Sequence, residues 1–423
     1  MNVSTFLPKE RQQDRPVNPA FEARPLAQAA DQREKFLRVF IYSGAVPSTT
    51  FIERLIVNLA ENEIEIFLHG QKTGFVEYSS RNVRILGYKT VFSKILIFVK
   101  YYLLFSLRRP SDLVKLKKIH SRNKISQSFG KWFVRTAPVV WHRPDIFHLQ
   151  WAKGVDEWLF LREFGIKLVL SLRGAHVNYS PLADENLAEA YRRSFPAVDA
   201  FHGVSRAICD EAGKYGADAA RCRVVYSGLD LSGFPYKKEK SLNRKRLKIV
   251  SVGRAHWKKG YNFALDAMKI LREQGVDFDY TIIGGKDEEL IFQRADLKLD
   301  DCVALENNVP FEKVKATMAD ADVLLLPSVE EGIPNVVLEA MALGTLAVST
   351  DCGGVAEVIE DGVNGFTVPV RCPQAMAEKI AALLEYSDEK LNAIRTAARA
   401  TIERQHNHRK MVDDMIALYE SLL

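Results

Sequence analysis

From Arg38 onward, short apolar runs rich in Val, Ile and Phe alternate with stretches in which apolar residues return every three or four positions. That alternation is the pattern of a parallel sheet covered by helices. "RVFIYSG" predicts a strand, "STTFIERLIVNLAENE" a helix and "IEIFLHG" a second strand, with further strands at "DIFHLQW", "KLVLSLRG", "AFHGVS" and "RVVYSG". The stretch 235–246, "PYKKEKSLNRKR", has neither period and reads as a linker. Beyond it the cycle restarts with strands at "LKIVSVG", "DYTIIGG", "CVAL", "DVLLLPS" and "TLAVST" and helices such as "YNFALDAMKILREQG". No repeat of solenoid length interrupts the series. The expected fold class is α/β, two Rossmann-like doubly wound domains facing a central cleft. The boundaries expected are a loose N-terminal arm at 1–35, an N-terminal domain at 36–234, the linker, a C-terminal domain at 247–405 and a C-terminal helix at 406–423 that crosses back to steady the hinge.

At 423 residues and 47% hydrophobic content the chain is large enough for more than one core. Its start lacks the apolar centre of a signal peptide, and the most apolar run, 91–107, is short for a membrane span and broken by Lys94 and Lys100. The five cysteines form no Cys-x-x-Cys pair and no zinc spacing, so a cytoplasmic, reducing setting is expected. Charge changes the picture locally. The net charge is +6, yet 89–143 holds 13 Lys and Arg against the single acid Asp112, a surplus of 12, so the remainder sums to −6. This basic, aliphatic and aromatic insertion predicts an amphipathic element on an anionic membrane surface, at the inner membrane face, or a cradle for a phosphorylated acceptor. No nucleic acid is expected as a partner.

Two motifs carry candidate chemistry. In "VGRAHWKKG", 252–260, a strand ends at Gly253 and the loop presents Arg254, Lys258 and Lys259 before a helix near Gly260. Cations at the positive end of a helix are unfavourable unless an anion lies between them, and a diphosphate satisfies both. The stretch lacks Gly-x-Gly-x-x-Gly, as does "IIGGKDEE", which disfavours a dehydrogenase. In "EEGIPNVVLEAMALG", 330–344, Glu331 precedes a helix with Pro334 in its first turn, and Glu339 lies within it beside Asn335. A carboxylate among apolar helix positions needs donors, and the vicinal hydroxyls of a ribose or sugar supply them. The amides from Ile333 to Val336 are free to take a phosphate or a sugar oxygen.

These stretches, with "LLLPSVEEGIPNVVLEAMALGTLAVSTDCGG" and "VIEDGVNGFTVP", resemble the donor half of the retaining glycosyltransferases of family four, which have the GT-B fold. The first half resembles the family more loosely, through "SGAVPSTTFIERLIVNL" and "VSRAICDEAGKYGADAARCRVVYSGLDLSGF". The resemblance implies that Arg254 and Lys259, beside Gly253, hold the nucleotide diphosphate and Glu339 the ribose. It assigns the transferred sugar to Glu331 with the amides of Gly332, Ile333, Pro334–Asn335 and Val336, and an approach of backbone amides to the phosphate at Gly44. In "SLRGAHVNYSP" the chain departs from the family, with Arg173 where a His often stands before the Gly and His176 three residues on. Arg173 is then a clamp for the donor phosphate or an anionic acceptor, and His176 a donor to the sugar; the plainer alternative is that each caps a strand end. His148 and His202, inside predicted strands, read as core histidines.

The function this implies is metal-independent transfer of a sugar from a nucleoside-diphosphate sugar to a hydroxyl of a glycan or lipid-linked acceptor, with retained configuration, in surface polysaccharide synthesis. Arg254, Lys259, Glu331 and His176 are the expected catalytic set, and no cofactor beyond the donor substrate is expected. Two alternatives stay open: a nucleotide-sugar epimerase on a similar scaffold, and a non-catalytic membrane-associated subunit.

Overall fold

The computed structural model describes residues 36–123 and 127–423. The expected arm at 1–35 lies outside the described residues, as do positions 124–126 of the basic insertion. Seven strands form the first sheet: β1 (Leu37–Val46), β2 (Ile64–Lys72), β3 (Val83–Ile85), β4 (Ile146–Leu149), β5 (Lys167–Leu172), β6 (Ala200–Gly203) and β7 (Cys222–Val224). Their order is β3-β2-β1-β4-β5-β6-β7, all parallel. Six more form the second: β8 (Leu247–Val252), β9 (Phe278–Ile283), β10 (Val303–Glu306), β11 (Val323–Leu326), β12 (Leu346–Thr350) and β13 (Phe366–Val368), in the order β10-β9-β8-β11-β12-β13. The apolar runs become central strands because helices cover both faces; every residue of β4, β11 and β12 is buried. Strand order reverses between β1 and β4 in one sheet and between β8 and β11 in the other, and ligands of such sheets sit at that reversal, beyond the carboxyl ends of the strands.

Between β3 and β4 the basic insertion folds as three helices, α2 (Val91–Arg108), α3 (Pro110–Arg122) and α4 (Phe129–His142). A reciprocal cap of Thr90 with Ser93 starts α2, and Pro110, which cannot continue a preceding helix, opens α3. Tyr101 and Phe105 turn α2 toward Phe133 and His142, while Phe92, Leu96, Val99, Leu103 and Leu107 on its other side stay exposed. No helix among the described residues is long and apolar enough to cross a membrane.

The C-terminal helix His408–Glu420 buries Met411, Val412, Met415, Leu418 and Tyr419 in one cluster with Val39 and Ile41 of β1 and Ile52 and Ile56 of α1 (Thr50–Leu59). It reaches that position after the helix Asp388–Gln405, which packs on the second sheet's side against Asn335–Leu343. The chain passes so close to the strand connection at Gly228 that a Cβ there would lie 2.6 Å from the Asn407 carbonyl oxygen. Tyr419 Oη shares a hydrogen bond of 2.7 Å with His148 Nδ1, and Ser171 Oγ joins His148 Nε2 (2.8 Å) to His202 Nδ1 (2.9 Å). His202 Nε2 meets the Val225 carbonyl at 3.2 Å. Both imidazoles are therefore satisfied core groups, and burial keeps them neutral, holding His202 down at about 3 and His148 well below its usual value.

Candidate active site

The loop after β8 is tied to the loop after β11 at several points. The Val329 amide donates to the Lys258 carbonyl at 2.7 Å, and Lys259 Nζ meets Glu331 Oε1 at 2.6 Å, with Ser328 Oγ donating to the same oxygen at 3.0 Å. Gly260 makes this approach feasible: its φ is +63°, and a Cβ would stand 2.1 Å from the Pro327 carbonyl oxygen. Lys259 and Glu331 are both largely buried, at 17% and 10% side-chain exposure, so each charge depends on the other. Arg254, by contrast, is exposed and makes no ion pair among the described residues.

The helix Asn335–Leu343 starts one residue later than the sequence suggests, with Pro334 as its cap and not in its first turn. Proline serves in either position because no helical bond needs its missing N–H. Every residue from Val336 to Leu343 is buried, Glu339 included. Burial raises the Glu339 pKa, and Arg54 of α1 opposes that rise through an ion pair of 3.3 Å to Oε1. Asn335 Oδ1 is buried without a partner. Next to Glu331, Glu330 accepts a hydrogen bond from Asn178, and its pKa is raised, mainly by burial.

These groups face a cavity of about 860 Å³ walled by both sheets' loops. Thr49, Thr50, Arg54, Ala175 and Tyr179 come from one side; Gly253, Arg254, Lys258, Lys259, Phe311, Asn335 and Glu339 come from the other. Of the residues expected from sequence, Gly253, Arg254, Lys259, Asn335 and Glu339 therefore share one wall, and Glu331 joins them through Lys259. Gly332, Ile333, Pro334 and Val336 follow Glu331 without lining it. Gly44 lies within β1, at a register shift against β2 with φ +86°, and Arg173 follows β5; neither lines this cavity. Arg173 donates to Gln150 Oε1 at 3.0 Å and stacks 4.6 Å from the Phe51 ring centroid, and full burial lowers its pKa to about 9.

His176 lines an adjoining cavity of about 480 Å³ with Tyr42, Trp151 and Lys153. Its Nδ1 is buried without a partner, and burial, aided by Lys153, lowers its pKa. Sequence reasoning missed Arg54, Tyr179 and Phe311. A single arginine on an amphipathic helix carries no signal of a partner 285 residues away.

Two Asp-x-Asp spacings, Asp277/Asp279 and Asp320/Asp322, lie at the amino-terminal ends of β9 and β11, the edge opposite the cavity. Asp279 pairs with Arg246 and Asp320 with Lys248, while Asp322 accepts the Lys248 amide at 2.9 Å. No group of three or more metal-ligating side chains gathers among the described residues.

Comparison with known proteins adds the lineage. Residues 48–232 match the Glycosyltransferase Family 4 profile and 234–401 that of Glycosyl transferases group 1. The putative colanic acid biosynthesis glycosyltransferase WcaL of Escherichia coli is 30% identical over 66% of this chain and 71% of its own length. The chain belongs to the family-four glycosyltransferases. The amylovoran biosynthesis glycosyltransferase AmsK of Erwinia amylovora shares 33% identity with this glycosyltransferase over 62% of the present chain and 66% of AmsK. Among solved structures, Anabaena HepE in complex with UDP-glucose superposes with a TM-score of 0.65 at 17% identity, over 91% of this chain and all 100% of HepE. That likeness concerns the fold, which is GT-B.

Proposed function

We propose that this glycosyltransferase moves a sugar from a nucleoside-diphosphate sugar to a hydroxyl of a glycan or lipid-linked acceptor during surface polysaccharide assembly. The observation that carries the reading is the one cavity lined by Arg254, Lys258 and Lys259 together with Arg54 and its partner Glu339. Arg254 and Lys259 bind the diphosphate, Glu339 accepts the ribose hydroxyls in exchange for Arg54, and Glu331, already held by Lys259 and Ser328, orients the sugar. As the bond from the anomeric carbon to the diphosphate breaks and the bond to the acceptor oxygen forms, charge grows on the departing phosphate. Fixed cations in a cleft that excludes water lower the energy of that state. The configuration is retained, and no metal is required when two side-chain cations and the first amides of Asn335–Leu343 offset the charge. The named activities of WcaL and AmsK support polysaccharide synthesis as the setting.

The exposed apolar side of α2, interspersed with Lys94, Lys100 and Arg108, meets an anionic bilayer in the same reading and keeps the enzyme at the inner membrane face. The test is release of nucleoside diphosphate from a nucleotide sugar with and without a crude lipid-linked glycan fraction. Acceptor-dependent release is expected. An altered free nucleotide sugar without acceptor would indicate an epimerase instead, and no donor binding at all a non-catalytic subunit.

A further inference from the structure

Beside the His176 cavity lies another, of about 570 Å³, between α2 and α4. Val91, Ile95, Phe98 and Val134 give it an apolar wall, and no carboxylate among the described residues lines it. Val91 and Ile95, at 73% and 53% exposure, continue that wall onto the open apolar side of α2. Its charged residues, among those described, are the cations Lys94, Lys131 and Arg135. Lys94 and Lys131 make no ion pair among the described residues, and Lys94 Nζ is held 4.8 Å over the Tyr88 ring. Arg135 pairs with Glu157, lies 5.4 Å over the Trp158 ring, and keeps its Nε buried without a partner.

Tyr42 and Arg135 belong to both cavities, so the apolar groove opens past a guanidinium into the space beside Trp151 and His176. Trp151 in turn packs on Phe51 (6.0 Å between centroids), which lines the donor cavity, and His176 neighbours Ala175, which lines it too. The order from outside inward is apolar surface, apolar groove with cations, a mixed cavity lined by Trp151, Trp158, Lys153, Glu157 and His176 with its unpartnered imidazole nitrogen, and donor cleft. An aliphatic chain is drawn into the first two by burial of its methylenes, and an anion to the cations at their inner end.

We propose that the groove between α2 and α4 is the binding site for the chain and phosphate of an amphiphilic acceptor, an aliphatic lipid phosphate or diphosphate whose sugar reaches the cavity beside His176. This rests on the glycosyltransferase reading, since it names the acceptor of that same cleft. Ile95 and Phe98 cover the chain, Lys94, Lys131 and Arg135 hold the phosphate, and Trp151 supplies a platform for the sugar ring.

The experiment is calorimetric titration of the whole protein with farnesyl diphosphate, inorganic diphosphate, farnesol and dihexanoyl-phosphatidylglycerol, without any donor, with the Lys259→Ala protein titrated in parallel so that diphosphate held at the donor cleft is subtracted. Farnesyl diphosphate should bind at least tenfold tighter than each of the others. Ile95→Asn, which removes the apolar surface without adding charge, should erase that advantage and leave inorganic diphosphate binding unchanged. Gly130→Leu should do the same, because a Cβ at Gly130 meets Phe98 Cε2 at an ordinary contact distance of 3.9 Å and the added chain fills the groove that both residues line. Lys131→Ala should weaken both diphosphates, whereas Lys259→Ala, in the donor cleft, should leave tail-dependent binding intact. Equal binding of farnesyl and inorganic diphosphate would overturn the proposal. So would farnesyl diphosphate affinity unaffected by Ile95→Asn and Gly130→Leu, tail-dependent affinity lost in Lys259→Ala, or equal binding of the phospholipid, which would mark a bilayer contact. Because no nucleotide sugar or turnover enters this test, its failure is separate from a failure of the donor reading.

Discussion

At the scale of single residues the donor cleft is a set of exchanged partners. Lys259 and Glu331 hold one another, and Arg54 holds Glu339, so one diphosphate cation and the ribose carboxylate are paired and largely buried before a ligand arrives, while Arg254 stays exposed. Such pre-positioned charge costs no reorganisation during the reaction. Removing Lys259 takes away a cation aimed at the leaving group, so Lys259→Ala should lower kcat by about 10² to 10³-fold, the usual loss for one such donor. Glu339→Ala removes charged hydrogen bonds to the ribose and should weaken donor binding by about 1.5–3 kcal/mol, with a smaller effect on kcat. Steady-state kinetics at saturating acceptor separate the two, and wild-type parameters in either variant would remove the assignment. The paired Glu331 and Glu339 were legible in the sequence because a carboxylate stands out among buried helix positions. Arg54 was not, since its role exists only once α1 approaches Asn335–Leu343.

At the scale of elements, legibility followed burial. The runs that became β1, β2, β4, β5, β8, β11 and β12 are continuous and apolar, whereas β3 and β13 are three-residue edge strands containing Arg84 and Thr367, too short to show a period. The basic insertion announced its composition, but not that α2 would turn Tyr101 and Phe105 inward and leave Leu103 and Leu107 outside. If that outer side meets a membrane, the protein should sediment with anionic liposomes at low salt and be released as salt rises, and Leu103→Glu with Leu107→Glu should abolish sedimentation. Binding that ignores salt would contradict this. The C-terminal helix makes a separate claim. Tyr419→Phe leaves His148 Nδ1 without its buried partner and should destabilise the fold by about 1–3 kcal/mol in denaturant unfolding, without altering donor affinity.

For the whole molecule, the buried histidines set an acid limit. Burial lowers the pKa of His69, His142 and His406 to about 4 and that of His202 to about 3, from 6.5. Between those folded values and 6.5 the unfolded chain binds more protons than the fold, so stability rises with pH through that window. Their contribution is complete above 6.5 and is lost progressively as pH falls toward 4 and then 3. Tm should therefore drop on acidification below 6.5; a flat profile down to pH 4 would contradict the burial of these groups as neutral imidazoles. The two sheets, each reversing its strand order at the same cleft, make a ligand site the expected use of the architecture, and the donor is its central claim. The most direct measurement is calorimetric binding of a panel of nucleoside-diphosphate sugars to the wild type, Glu339→Ala and Lys259→Ala proteins. At least one donor should bind the wild type, lose tenfold or more in Glu339→Ala and lose less in Lys259→Ala. Binding of none, or equal binding to all three proteins, would contradict the account.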